Sequence, residues 1–179
     1  MSMPKIAVII ITVLNVVFAG SVACLWVGVA QPAMAQQKVA SGESDSRQIE
    51  RGRYLVKISG CNDCHTAGYA MTGGNIPESQ WLMGDKLGWR GPWGTTYPVN
   101  LRLFMSSLTQ DQWLQLAKGI QTRPPMPWWL LHDMTHEDLK AMHAYVKWLG
   151  PTGELAPNYV PPEQEPVGPV VLFPAIPKK

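Results

Sequence analysis

Cys61-Asn62-Asp63-Cys64-His65 puts two thiols three residues apart, with an imidazole directly after the second. This spacing suits the attachment of haem c: each thiol adds across a vinyl group to form a thioether. Two intervening residues let both sulfurs reach from one turn of chain. The adjacent imidazole then meets the iron from the same face. A redox dithiol shares the Cys-x-x-Cys core, but it normally follows a strand in an α/β domain. Here the motif follows a helical pattern, with no alternation of strands and helices. Structural zinc needs four ligands, and the chain has no second cysteine pair. The expectation is therefore one covalent haem c per chain, held by Cys61 and Cys64, with His65 on the iron.

Haem iron has two axial positions, and His65 can fill only one. The candidates for the other are Met71, Met83, Met105, Met126, Met134 and Met142, together with His132, His136 and His143. A methionine inside a helix usually packs in the core, which is the expected role of Met142. Met134 and His136 lie at a helix start, where exposure is the default. Met126 differs: prolines on both sides stiffen its loop, so ordering its thioether costs little entropy. The expected metal ligands are His65 and Met126, since His/Met ligation is one of the standard haem pairings. His132 is the next candidate.

Helical patterns flank these residues. A helix is predicted from Ser46 to Ile58, capped by Ser44, Asp45 or Ser46 and ended by Gly60. A second is predicted over 109–119, where Thr109-Gln110-Asp111-Gln112 fits a capping start. A third is predicted over 135–149. There Leu139, Met142, Tyr145, Val146 and Leu149 share one face, and Gly150-Pro151 supplies the stop. Between Thr66 and Leu103 the chain is broken by repeated Gly and Pro, with no alternation that predicts a strand. Trp81, Trp89, Trp93 and Tyr97 lie in this stretch, and a macrocycle would give them an apolar partner.

The ends of the chain bear on compartment. Lys5 is the only charge before Lys38, and an apolar stretch runs from residue 6 to residue 30. Ala33-Met34-Ala35 closes it in the manner of a secretory cleavage site. Residues 1–35 are predicted to be an export signal, with an uncleaved anchor through 6–30 as the alternative because the stretch is long enough to span a bilayer. The third cysteine, Cys24, falls inside this segment. Residues 36–45 read as a polar linker, 46–150 as the haem domain and 151–179 as a tail holding half of the 16 prolines. The tail is expected to be extended or disordered, with its Val and Phe residues able to lie against the domain.

Composition excludes several classes. Charged residues make up 16% of 179 residues, and the net charge is +2. That low charge argues against a disordered polyelectrolyte. No basic stripe or nucleic-acid motif is present, so no nucleic-acid partner is expected. Three cysteines cannot build a disulfide scaffold.

The haem motif, Met126-Pro127 and the closing helix together resemble the class I cytochromes c, over roughly residues 46–150. The resemblance implies an all-α fold of three or more helices around the haem, with long irregular loops. It also implies a crossing of the first and last helices through Gly52, Leu55, Leu139, Met142 and Tyr145. Arg51-Gly52-Arg53-Tyr54-Leu55-Val56, Gly91-Pro92-Trp93-Gly94-Thr95-Thr96-Tyr97 and Pro125-Met126-Pro127-Trp128 resemble segments of cytochrome domains that accompany bacterial periplasmic dehydrogenases. Those relatives commonly have Ala-Pro-Asn after the second segment. Pro98-Val99-Asn100 departs from this and leaves open which carbonyl orients His65. The implied function is periplasmic electron transfer between redox partners, a dehydrogenase as donor and an oxidase or cytochrome as acceptor, with no catalytic residues of its own. The alternatives are an electron-accepting subunit of a dehydrogenase complex, or a haem enzyme or gas sensor with an open sixth site.

Overall fold

The computed structural model describes residues 33–174. The apolar stretch 6–30 and most of the export signal lie outside the described residues. Among the described residues, no helix is long and apolar enough to cross a membrane.

Among the described residues, six α-helices follow in chain order: α1 (Ala33–Ile58), α2 (Cys61–His65), α3 (Leu101–Ser106), α4 (Gln110–Gly119), α5 (Trp129–Asp133) and α6 (His136–Leu149). Residues 36–45, read above as a linker, belong to α1. Gly42 to Arg47 are exposed, so their polarity suits a solvated part of the helix. The Arg47–Glu43 pair, 2.7 Å apart at i,i+4, supports that turn. α4 and α6 begin where their caps predict. Thr109 and Gln112 form a reciprocal capping box, and the Thr135 side chain accepts from the Asp138 amide.

The main packing joins α1 to α6. Gly52 lies against Ala141 and Tyr145, so closely that a Cβ there would overlap the Ala141 carbonyl. Leu55, Leu139, Met142 and Tyr145, expected at this contact, are all buried. Arg51 bonds Asp138 at 2.9 Å across the same pair of helices. Glu78 accepts from both Arg53 and Tyr145, each at 2.7 Å, and so ties the intervening loop to both helices. Burial acts to raise the Glu78 pKa, but the bonds from Arg53 and Tyr145 and the charge of Arg53 outweigh it and lower it.

The all-α expectation is corrected. A three-stranded sheet, ordered β2-β1-β3, accompanies the helices. β1 (Gly88–Gly91) runs antiparallel to β2 (Gly94–Thr96) and parallel to β3 (Val170–Leu172). The chain is therefore mixed. Strands of three or four residues are too short to show alternation. One of them also comes from the tail, whose pairing is long-range. The turn into β2 requires a positive φ, which Gly94 supplies at 95°. The tail is extended and applied to the domain: Val160 pairs with Thr95, and Phe173 packs against Trp93 with ring centroids 5.1 Å apart.

Candidate haem-binding site

Gly60, at φ 71°, turns the chain sharply between α1 and α2. α2 is a single turn, so Cys61 and Cys64 at i,i+3 share a face and His65 follows on it. Thr66 leaves the turn in an extended conformation. A bonded chain fixes this exit: the Leu82 amide donates to Thr66 Oγ1 at 2.8 Å, and Thr66 Oγ1 donates to Asn62 Oδ1 at 2.8 Å. The Gly84 amide donates to the His65 carbonyl at 2.8 Å.

The His65 ring is buried, and its Nδ1–H donates to the Val99 carbonyl at 2.7 Å. A carbonyl can only accept, so the proton sits on Nδ1 and the Nε2 lone pair is left for a metal. Burial lowers the His65 pKa and the Val99 bond opposes it, with burial the larger effect. The carbonyl left open by Pro98-Val99-Asn100 is thus that of Val99. Gly84 seats it: at φ 79°, its α-carbon faces the backbone of Pro98, Val99 and Asn100 with no room for a side chain.

His65 and Cys64 open onto a cavity of about 960 Å³, and Met126 lies in its wall. That volume is near the upper end for ligand sites, about 300–1,000 Å³. Residues 97–100, α3, the loop 120–126 and tail residues 155–159 complete the walls. The Thr122 hydroxyl in this wall is buried without a hydrogen-bond partner. Cys61 is half-buried and is not part of the cavity lining. Burial, with smaller contributions from Asp63 and Cys64, pushes its thiol up to about 12. Burial raises Cys64 as well, with Asp63 and Asp85 adding to it.

Of the nine candidates for the second ligand, Met126 alone lines this cavity. His132 Nε2–H donates to the Ile120 carbonyl at 3.0 Å, and its ring lies against Trp128. His143 is buried and bonded to the Leu108 carbonyl at 3.1 Å. Met105 and Met142 are core residues, and Met71 is 88% exposed. Met83 lies beside Gly153, Met134 packs against the core, and His136 is exposed at the start of α6.

The aromatic shell differs from the expectation. Trp89 and Tyr97 line the cavity. Trp81 instead packs edge-on against Tyr69, with centroids 5.7 Å apart, and donates to the Ile76 carbonyl. Trp93 packs against Phe173. Each found a protein partner distant in sequence, which spacing along the chain could not reveal. The tail's share of the wall, with Leu155 and Tyr159, was likewise missed. Its proline content signals extension but not where the strand of chain docks.

Among the described residues, no group of three or more His, Cys, Asp or Glu is arranged to hold a bare metal ion. No protein-family model, curated protein or solved structure matches the chain.

Proposed function

We propose that this chain is an electron carrier with one haem c, attached through Cys61 and Cys64 and ligated by His65 and Met126. It would act outside the cytoplasmic membrane, between redox partner proteins. The observation that carries this reading is the single cavity shared by Cys64, His65 and Met126, which the other eight candidate ligands do not enter. The chemistry of the donors fits the group. His65 offers a neutral imidazole held by the Val99 carbonyl. His65 and Met126 would supply two protein donors, the number that a haem iron leaves for the protein to fill.

When bound, the haem supplies a reversible one-electron centre. The residues around it tune that centre and limit access to it. The Met126 thioether would favour ferrous iron, and the Trp89, Tyr97 and Leu103 walls would make added positive charge costly. Held by both His65 and Met126, the iron would offer no open position to a small ligand, which would suit simple one-electron exchange. The dithiol reading is disfavoured by the same structure. Reactive thiols have lowered pKa values, whereas burial raises both thiols here.

The test is a reduced-minus-oxidised spectrum of the exported protein, followed by Met126→Ala. The wild type should show the ferric near-infrared sulfur-to-iron band, and its ferrous form should resist CO at neutral pH. Met126→Ala should lose the band, bind CO and have a lower potential. A wild type that binds CO freely would point to the enzyme or sensor reading.

A further inference from the structure

Three segments meet at the rim of the cavity: the loop carrying Met126, the β1–β2 hairpin and the tail. The Thr96 Oγ1 donates to the Pro124 carbonyl at 2.7 Å, which ties the hairpin to the loop. The Thr95 amide donates to the Val160 carbonyl at 2.7 Å, and the Val160 amide returns a bond at 3.0 Å, which ties the hairpin to the tail. Tyr159 closes the ring. Its hydroxyl donates to the Trp93 carbonyl at 2.9 Å, and its ring lies under the Arg123 guanidinium, 3.9 Å from the centroid. The seat is tight, because a Cβ at Gly94 would overlap the Val160 carbonyl and come within 2.9 Å of the Tyr159 ring.

The tail is held on both sides of this point. Upstream, the Asn100 side chain donates to the carbonyls of Thr152 and Glu154. Downstream, Arg90 bonds the carbonyls of Pro162 and Gln164 and the carboxylate of Glu165. Arg123 is three residues from Met126, and the intervening Pro124-Pro125 has fixed φ angles. The two fixed φ angles limit how far Met126 can move independently of Arg123.

We infer that the tail is a clasp that sets the position of Met126, and that Tyr159, acting through Arg123, is the positioning residue. The inference rests on the proposed role of Met126. It assigns the Pro-rich tail a part in the site: the tail forms one wall and restrains the loop that must hold a thioether on the iron. Weakening the clasp should loosen the loop without touching Cys61, Cys64 or His65.

The experiment compares the full-length exported wild type with Tyr159→Leu, Tyr159→Phe and Arg123→Gln. Hydrogen exchange of the backbone amides of Gln121, Thr122, Arg123 and Met126 is read in each, independently of haem. Tyr159→Leu and Arg123→Gln should each speed exchange there by a factor of about two to five, the size of a cation–π contact near the surface. The double variant should add little, because both remove one contact. Tyr159→Phe keeps the ring and should fall between wild type and Tyr159→Leu. In the ferric protein, added imidazole should displace the sulfur-to-iron band at about two- to fivefold lower concentration in Tyr159→Leu and Arg123→Gln, compared at equal concentrations of bound haem. Exchange and imidazole competition that match wild type would overturn the clasp while leaving the proposed function standing. A wild type without covalent haem would overturn the proposed function, and the exchange comparison would still judge the clasp. Fully additive effects of Tyr159→Leu and Arg123→Gln would overturn the role of their contact.

Discussion

Gly84→Ala tests how the chain positions the Val99 carbonyl against His65. Two costs follow from the structure. The first is conformational: Gly84 has φ 79°, and a residue with a Cβ in the left-handed region costs about 1–2 kcal/mol. The second is steric. The new Cβ would lie 2.8 Å from the Pro98 carbonyl oxygen, 2.9 Å from the Asn100 amide nitrogen and 3.0 Å from the Val99 carbonyl carbon. These are backbone atoms that cannot rotate away as a side chain could, so the overpacking term of about 1–3 kcal/mol applies. The sum is about 2–5 kcal/mol, a large part of a typical stability of about 5–15 kcal/mol. At about 3 °C per kcal/mol for a domain of this size, Tm should fall by roughly 6–15 °C. Gly73→Ala is the control. Gly73 has φ 61° with nothing within 4 Å of its Cβ position, so only the conformational cost applies. Thermal unfolding of both variants, followed by circular dichroism, separates the two costs. The segment 98–100 should also shift away from His65, which would raise the potential of the loaded protein because the Nδ1–H bond that makes imidazole a stronger donor is weakened. If Gly84→Ala is no less stable than Gly73→Ala, the packing of Gly84 on this segment is not what holds the Val99 carbonyl.

The mature wild type should weigh one haem more than its polypeptide and keep its pigment through acid–organic extraction, whereas Cys61→Ala with Cys64→Ala should release it; mass spectrometry checks this. Glu78 has a lowered folded-state pKa, so its contribution to stability is fully present above the usual glutamate range and is lost as pH falls through the folded value. Denaturant titrations from neutral to acid pH should therefore show a steeper acid loss in wild type than in Glu78→Gln, and equal slopes would refute the assigned network. Thr109→Ala removes one half of the α4 capping box and should cost about 1 kcal/mol in urea unfolding, with the slope unchanged.

The parts of this protein that are legible without a fold are those carried by neighbours in the chain. The Cys61–His65 motif, the Thr109 and Thr135 caps, the apolar face of α6 and the rigid loop around Met126 all depend on residues a few positions apart. Helices declare themselves in this way because their contacts repeat at i+3 and i+4. Export remains an expectation of the same local kind, resting on the charge and apolar run of the first 35 residues.

The tertiary structure decided everything that depends on distant segments meeting. The sheet joins strands from residues 88–96 to one at 170–172, and no local pattern announces a three-residue parallel strand. Trp81 and Trp93 were free to face a cofactor until Tyr69 and Phe173 were found beside them. Which of the nine candidate side chains shares a cavity with His65 likewise needed the fold, because a methionine's chemistry is the same in a core, on a surface or in a cavity wall. Only the bonding of His132 to Ile120 and the burial of Met105 and Met142 remove those residues, and only the shared cavity joins Met126 to His65. Side-chain type sets what a residue can do, and long-range packing sets which residues are close enough to do it together.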